Sequence, residues 1–141
     1  MPHFIIDCSE NVLSQKTADE IMSAVYEVAE ATELFKKGDI KVRINPFHYY
    51  KLGDNKKDFI HVFANIMEGR TTGQKAALSK KIIERLNEMF PGISILSMNV
   101  REFELATYSN KSLINPLNTE GDRFFWKEIF KTFSCIYMHG F

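Results

Sequence analysis

Four residues in this chain could do chemistry together. Pro2 stands directly behind Met1. If Met1 is removed, Pro2 becomes a free secondary amine, a weakly basic nitrogen that belongs to no side chain. An ordinary α-amino group titrates near ~7.7–8, and a general base works best with a pKa near the working pH. Lys41 and Arg43 alternate with apolar residues in "IKVRI", so both cations fall on one face of a strand. Arginine grips a carboxylate through a two-pronged fork. Arg70 precedes "TTGQ", whose spacing marks a helix start. Free N–H groups and a partial positive charge at a helix start favour carboxylates. Together these residues suggest a catalytic base, Pro2, beside a substrate-binding pocket of Lys41, Arg43 and Arg70 for an acidic small molecule. Nearby cations would push the base's pKa down. Plainer readings stand beside this one. Pro2 is then an ordinary second residue, the strand cations guard a sheet edge against aggregation, and Arg70 is a solvated loop cation.

Other kinds of site have less support. The seven glycines are scattered, so no phosphate-binding loop forms. His3, His48, His61 and His139 share no ligand spacing, and no metal is expected. His61 alternates with apolar neighbours and reads as a packed histidine. Cys8 and Cys135 lie at opposite ends of the chain, which suits neither a disulfide framework nor a metal site. A reducing, cytoplasmic setting fits them best. The start of the chain has no basic, then apolar, secretory pattern. No apolar run reaches the roughly 20 residues of a membrane span, so no membrane partner is expected. Lys and Arg total 18, as do Asp and Glu. That balance gives no electrostatic reason to expect nucleic acid.

The elements that must position the four residues follow from the hydrophobic pattern. At 141 residues with 45% hydrophobic content, the chain is one domain by length and ordinary in composition. "PHFIIDC" predicts a buried central strand, and "SENVLSQ" a polar connection. Thr17 and Glu20 have capping-box spacing. Ile21, Ala24, Val25, Val28 and Ala29 then make one helical face, with Gly38 marking the exit. In "IKVRI", Ile40, Val42 and Ile44 take the face opposite the cations, and Pro46 is expected to end pairing. "YYKLGDNKK" reads as turn. The pattern then repeats: a strand with Ile60, Val62, Ala64 and Ile66 on one face, a helix with Leu78, Ile82, Leu86, Met89 and Phe90 on one face, a stop at "PG", and the strand "ISILSMNVREFEL". Residues 3–44 and 58–105 thus each read strand, helix, strand. Such units make parallel strand pairs. Two of them predict an α+β fold, a four-stranded mixed sheet with two helices on one face.

The end of the chain differs. "GDRFFWKEIFKTFSCIYMHGF" holds seven of the 18 aromatic residues. Phe125, Ile129, Phe130 and Phe133 fit one face of a helix that would pack on the domain or at a subunit interface. The expected division is a domain over residues 1–115 and a C-terminal helical extension over 116–141.

"MPHFIIDCSEN", "GDIKVRI", "DFIHVFANIMEGRTTGQKAALSKKIIERLNEMF" and "LSMNVREFEL" stand in this order along the chain. This set resembles the 5-carboxymethyl-2-hydroxymuconate isomerase family of the tautomerase superfamily, over roughly residues 1 to 115. The resemblance implies two fused β-α-β units, a homotrimer, loss of Met1, and Pro2 as acid/base without metal or organic cofactor. The implied reaction moves a proton within an unsaturated hydroxy di- or tricarboxylate in homoprotocatechuate breakdown. Arg70 matches the family's arginine after the glycine, and Arg43 a second, strand arginine. Lys41 stands where another substrate-binding arginine is expected; lysine keeps the charge and loses the fork. Two competing readings are a non-catalytic tautomerase-fold oligomeric binding module and a tautomerase of a different small enol acid. The segment after residue 115 matches nothing in the family pattern.

Overall fold

The computed structural model describes residues 1–115. Its strands and helices run β1 (His3–Ser9), α1 (Ala18–Ala31), β2 (Lys41–Phe47), β3 (Phe59–Met67), α2 (Thr72–Met89) and β4 (Ile95–Phe103). The four strands form one sheet in the order β2-β1-β3-β4. β1 pairs with β2 in parallel and β3 with β4 in parallel, while β1 and β3 meet antiparallel. This is the expected mixed sheet of two joined β-α-β units. Met1–Leu105 forms one compact unit. The next residues carry a short helix, α3 (Lys111–Ile114), capped by Asn110, whose side chain accepts the Leu113 N–H at 2.9 Å. The aromatic helix expected around Phe125–Phe133 lies outside the described residues.

Both main helices begin where their caps dictate. Thr17 accepts the Glu20 N–H at 3.1 Å while the Glu20 carboxylate accepts the Thr17 N–H at 3.0 Å. Thr71 and Gln74 repeat this at 3.1 and 2.9 Å. Each box satisfies two donors that a helix start otherwise leaves bare. One sheet face carries Phe4, Ile6 and Cys8 from β1 and Ile60, Val62, Ala64 and Ile66 from β3, all fully buried. They form one core with Ile21, Val25 and Ala29 of α1 and Leu78, Ile82 and Leu86 of α2. Period-two and period-3.6 patterns thus meet in a single apolar layer. The other sheet face carries His3, Ile5, Asp7, Lys41, Arg43, His61, Phe63, Asn99 and Arg101, most of them only half-buried.

Three local expectations are corrected. The "SENVLSQ" connection contains a 3-10 turn at Glu10–Ser14, wound around fully buried Val12. Val12, with partly buried Leu13 beside it, draws the polar stretch onto the core. Pro46 does not end β2; it pairs with Cys8, and Phe47 with Ser9. β2 is an edge strand, where a missing N–H is tolerated. Gly38 does not mark the exit of α1, which ends at Ala31. It sits in a later turn, with φ +86°, where the Asp39 N–H donates to the Lys36 carbonyl at 3.1 Å. Glycine suits the third position of such a turn because it needs a positive φ.

Candidate active site

The start of β1 sets the geometry. Pro2 is buried, and its carbonyl accepts the Lys41 N–H at 3.0 Å. That bond fixes the chain start against the start of β2. Met1 lies just outside it. The Met1 amine is 3.9 Å from Asp39 Oδ2. Burial pulls its pKa below the ordinary value; Asp39 opposes this, and Lys41, Arg70 and Lys36 lower it further. Burial disfavours an ammonium because it removes water from the charge, and neighbouring cations add repulsion.

Arg70 is held from three sides. Its Nη2 donates to the Leu34 carbonyl at 2.7 Å and its Nη1 to the Met67 carbonyl at 3.1 Å. The guanidinium lies over the Phe35 ring, 5.1 Å from its centre. Phe35 in turn meets Phe4 edge-to-face at 5.9 Å. A core residue of β1 therefore supports the ring that supports Arg70, two residues from Pro2 in sequence. Burial lowers the Arg70 pKa and the Glu102 carboxylate raises it; an arginine in such a place keeps its charge. Lys41 Nζ donates to the Asp39 carbonyl at 2.6 Å and lies 3.5 Å from Met1 Sδ.

Lys41 and Arg70 thus both act on the amino terminus. Arg43 is engaged elsewhere on the same face. Its Nη1 donates to His3 Nδ1 at 3.1 Å. A guanidinium can only donate, so Nδ1 accepts and the His3 proton sits on Nε2. His3, Asp39 and Phe35 are neighbours the sequence did not single out. Each is found only through the β1–β2 register and the turn before β2. His3 pairs with Lys41 in that register, but strand periodicity fixes faces, not partners.

Lys41 also borders a groove of about 510 Å³ between α1 and β2. Asp19 and Glu27 line it too, which makes it a poor place for an anion. The Cys8 thiol is buried and pushed up to about 11 by burial and by Asp7 and Asp58, so it is protonated and unreactive at neutral pH. Among the described residues, no group of three or more His, Cys, Asp or Glu is placed to hold a metal, and no helix is long and apolar enough to cross a membrane.

His3 carries a testable consequence. Burial, then Arg43, Lys41 and the terminal amine, hold its pKa below the ordinary 6.5. The unfolded chain therefore binds a proton here more readily than the folded one. Stability should fall as pH drops from about 6.5 through the folded-state pKa of His3. Urea midpoints between neutral and mildly acidic pH measure this. The fall should be shallower in His3→Gln, and an identical slope in the two proteins would remove His3 as the cause.

Two crossed β-α-β units, with a proline-led central strand among cations, define the tautomerase fold. Solved structures agree. A 5-carboxymethyl-2-hydroxymuconate isomerase from Deinococcus radiodurans R1 superposes with a TM-score of 0.69 at 23% identity, covering 78% of this chain and 88% of that one. A fused wild-type 4-OT symmetric trimer superposes at 0.64 with 15% identity, covering 77% and 93%. In sequence, the Escherichia coli 5-carboxymethyl-2-hydroxymuconate Delta-isomerase is 22% identical over 107 residues, 74% of this chain and 85% of that protein. The family model for 5-carboxymethyl-2-hydroxymuconate isomerase matches residues 2–117. The chain belongs to this family, which is a family of enzymes.

Proposed function

We propose that the chain is a cofactor-independent isomerase that moves a proton within an unsaturated hydroxy di- or tricarboxylate like 5-carboxymethyl-2-hydroxymuconate. The carrying observation is the half-buried amino terminus, acted on by Lys41, Arg70 and Lys36 and lowered in pKa by burial. Removal of Met1 would bring the Pro2 nitrogen into this environment. Pro2 then takes a proton from the dienol side of the substrate and returns one at a distant carbon. Arg70 and Lys41 hold carboxylates and offset the negative charge that develops on the dienolate. Arg43 binds at the outer side of the pocket, beside His3. In that place burial and the cations would lower the pKa of the proline amine from the ordinary α-amine value, the direction a general base requires.

A homotrimer is part of the proposal. A relative of the same fold is a symmetric trimer, and among the described residues α1 and α2 pack on one face of the sheet, with β2 at its edge. We assign residues 1–115 to the tautomerase domain and 116–141 to an extension beyond it; the family match over residues 2–117 supports this.

The test is a direct assay. Purified protein, shown by intact mass to lack Met1, should convert 5-carboxymethyl-2-hydroxymuconate, followed by loss of dienol absorbance. Fully processed protein that turns over neither this compound nor smaller enol acids would sink the enzyme reading. A second reading is an oligomeric binding module, favoured by Lys41, which lacks the two-pronged fork of an arginine for holding a substrate carboxylate. While Met1 is present the Pro2 nitrogen is an amide without basicity, and the space before it is filled. Retention of Met1 in the protein isolated from cells would support that reading.

A further inference from the structure

We propose that Asp39 selects and orients what binds in front of Pro2. Its carboxylate accepts a hydrogen bond from a ligand hydroxyl or enol and keeps ligand carboxylates off that side, sending them to Lys41 and Arg70. The proposal rests on the reading that the Pro2 nitrogen faces the substrate.

The backbone places Asp39 there. His3 pairs with Lys41 in the parallel register, and the Pro2 carbonyl accepts the Lys41 N–H. Carried back two residues, that register sets Asp39 beside Met1. The turn from Lys36 to Asp39, closed by its 3.1 Å hydrogen bond, holds the residue in place. Met1 therefore occupies the space that a ligand must enter once the methionine is gone, and its atoms stand in for ligand groups. Its ammonium, 3.9 Å from Asp39 Oδ2, marks a side that suits a hydrogen-bond donor. Its sulfur, 3.5 Å from Lys41 Nζ, marks a side that suits an acceptor or an anion.

The charges around this space are unequal. Lys36 and Asp39 come from the turn, Lys41 from β2, Arg70 from the start of α2, and His3, neutral, from β1. Among the described residues, Asp39 is the charge that raises the pKa of the terminal amine, while Lys41, Arg70 and Lys36 lower it. A ligand carboxylate placed against Asp39 meets like charge at short range, which is costly where both Met1 and Asp39 are partly buried. A dicarboxylate whose hydroxyl points to Asp39 meets no such penalty. Asp39 would thus decide which end of an acidic enol lies against the proline.

The experiment compares two acids on one carbon skeleton, 3-hydroxyglutarate and tricarballylate, in which the central hydroxyl is replaced by a carboxylate. Both are titrated calorimetrically into Met-processed protein. The wild type should favour the hydroxy acid. In the isosteric Asp39→Asn variant, the ratio of the two dissociation constants should move about tenfold toward tricarballylate, and the Pro2 amine, followed by NMR, should titrate at a lower pH. Asp39→Glu should keep the wild-type order. An unmoved ratio in Asp39→Asn, or no binding of either acid, overturns the proposal. These readouts need no turnover. A processed protein that shows the Asp39-dependent ratio but no catalysis refutes the isomerase reading and leaves the selection standing.

Discussion

Blocking the amino nitrogen of the Met-processed chain by acetylation should lower kcat/KM about 10²–10⁴-fold, the usual contribution of a positioned acid/base group. An acetylated proline keeps its ring, its burial and its carbonyl bond to Lys41. The basic lone pair is lost and the acetyl group takes part of the space that Met1 fills, so the change reports on the site and not on folding. Pro2→Ala is the complementary variant. It leaves a primary amine at the chain start, but that amine is more flexible and loses the ring that fixes its direction. The alanine variant should therefore fall between wild type and blocked protein. Full activity in the blocked chain would end the proline mechanism, whatever the alanine variant does. The pH profile adds a separate check. Burial and the cations Lys41, Arg70 and Lys36 lower the pKa at the amino terminus. The basic form should thus remain active at a lower pH than a free α-amine would allow, with activity lost as pH falls through the lowered pKa.

Arg70→Ala should weaken dicarboxylate substrates far more than monocarboxylates. Loss of a hydrogen-bonded charge partner in a partly buried site costs about 2–5 kcal/mol, which is roughly 30-fold or more in kcat/KM. The structure complicates a simple deletion. Two guanidinium nitrogens already donate to the Leu34 and Met67 carbonyls, and the group rests on Phe35. Alanine would also free the segment between α1 and β2 that carries Asp39. Arg70→Lys separates the two roles, because lysine keeps the charge but cannot bridge both carbonyls in a planar fork. If Arg70 holds a carboxylate, the lysine variant should recover part of the dicarboxylate preference. Equal losses on mono- and dicarboxylates in both variants would show that Arg70 only braces the loop.

Much of the scaffold was legible in the sequence because it depends on short-range physics. The capping boxes at Thr17 and Thr71 need only residues three apart. The alternation of Ile60, Val62, Ala64 and Ile66 needs only the strand period, and all four are fully buried. The places where the sequence misled were those where a distant contact overruled a local preference. Val12 pulled a polar stretch into a 3-10 turn, an edge position admitted Pro46 into β2, and the segment between α1 and β2 used Gly38 for its own turn.

By itself, then, the sequence determined the two β-α-β units, their apolar faces, the proline at the head of β1, and the placement of Lys41 and Arg43 on one strand face. Only the tertiary structure decided how these meet. Lys41 turns back toward the chain start, while Arg43 reaches His3. Arg70, a long way down the chain, comes to the same amino terminus, and Asp39 comes with it. The physical reason is register. Periodicity tells a side chain which face to take, at no cost in long-range order. Which residue it meets depends on how β1 slides against β2 and on the sheet order that seats it beside β3, and these are settled by the packing of the whole core.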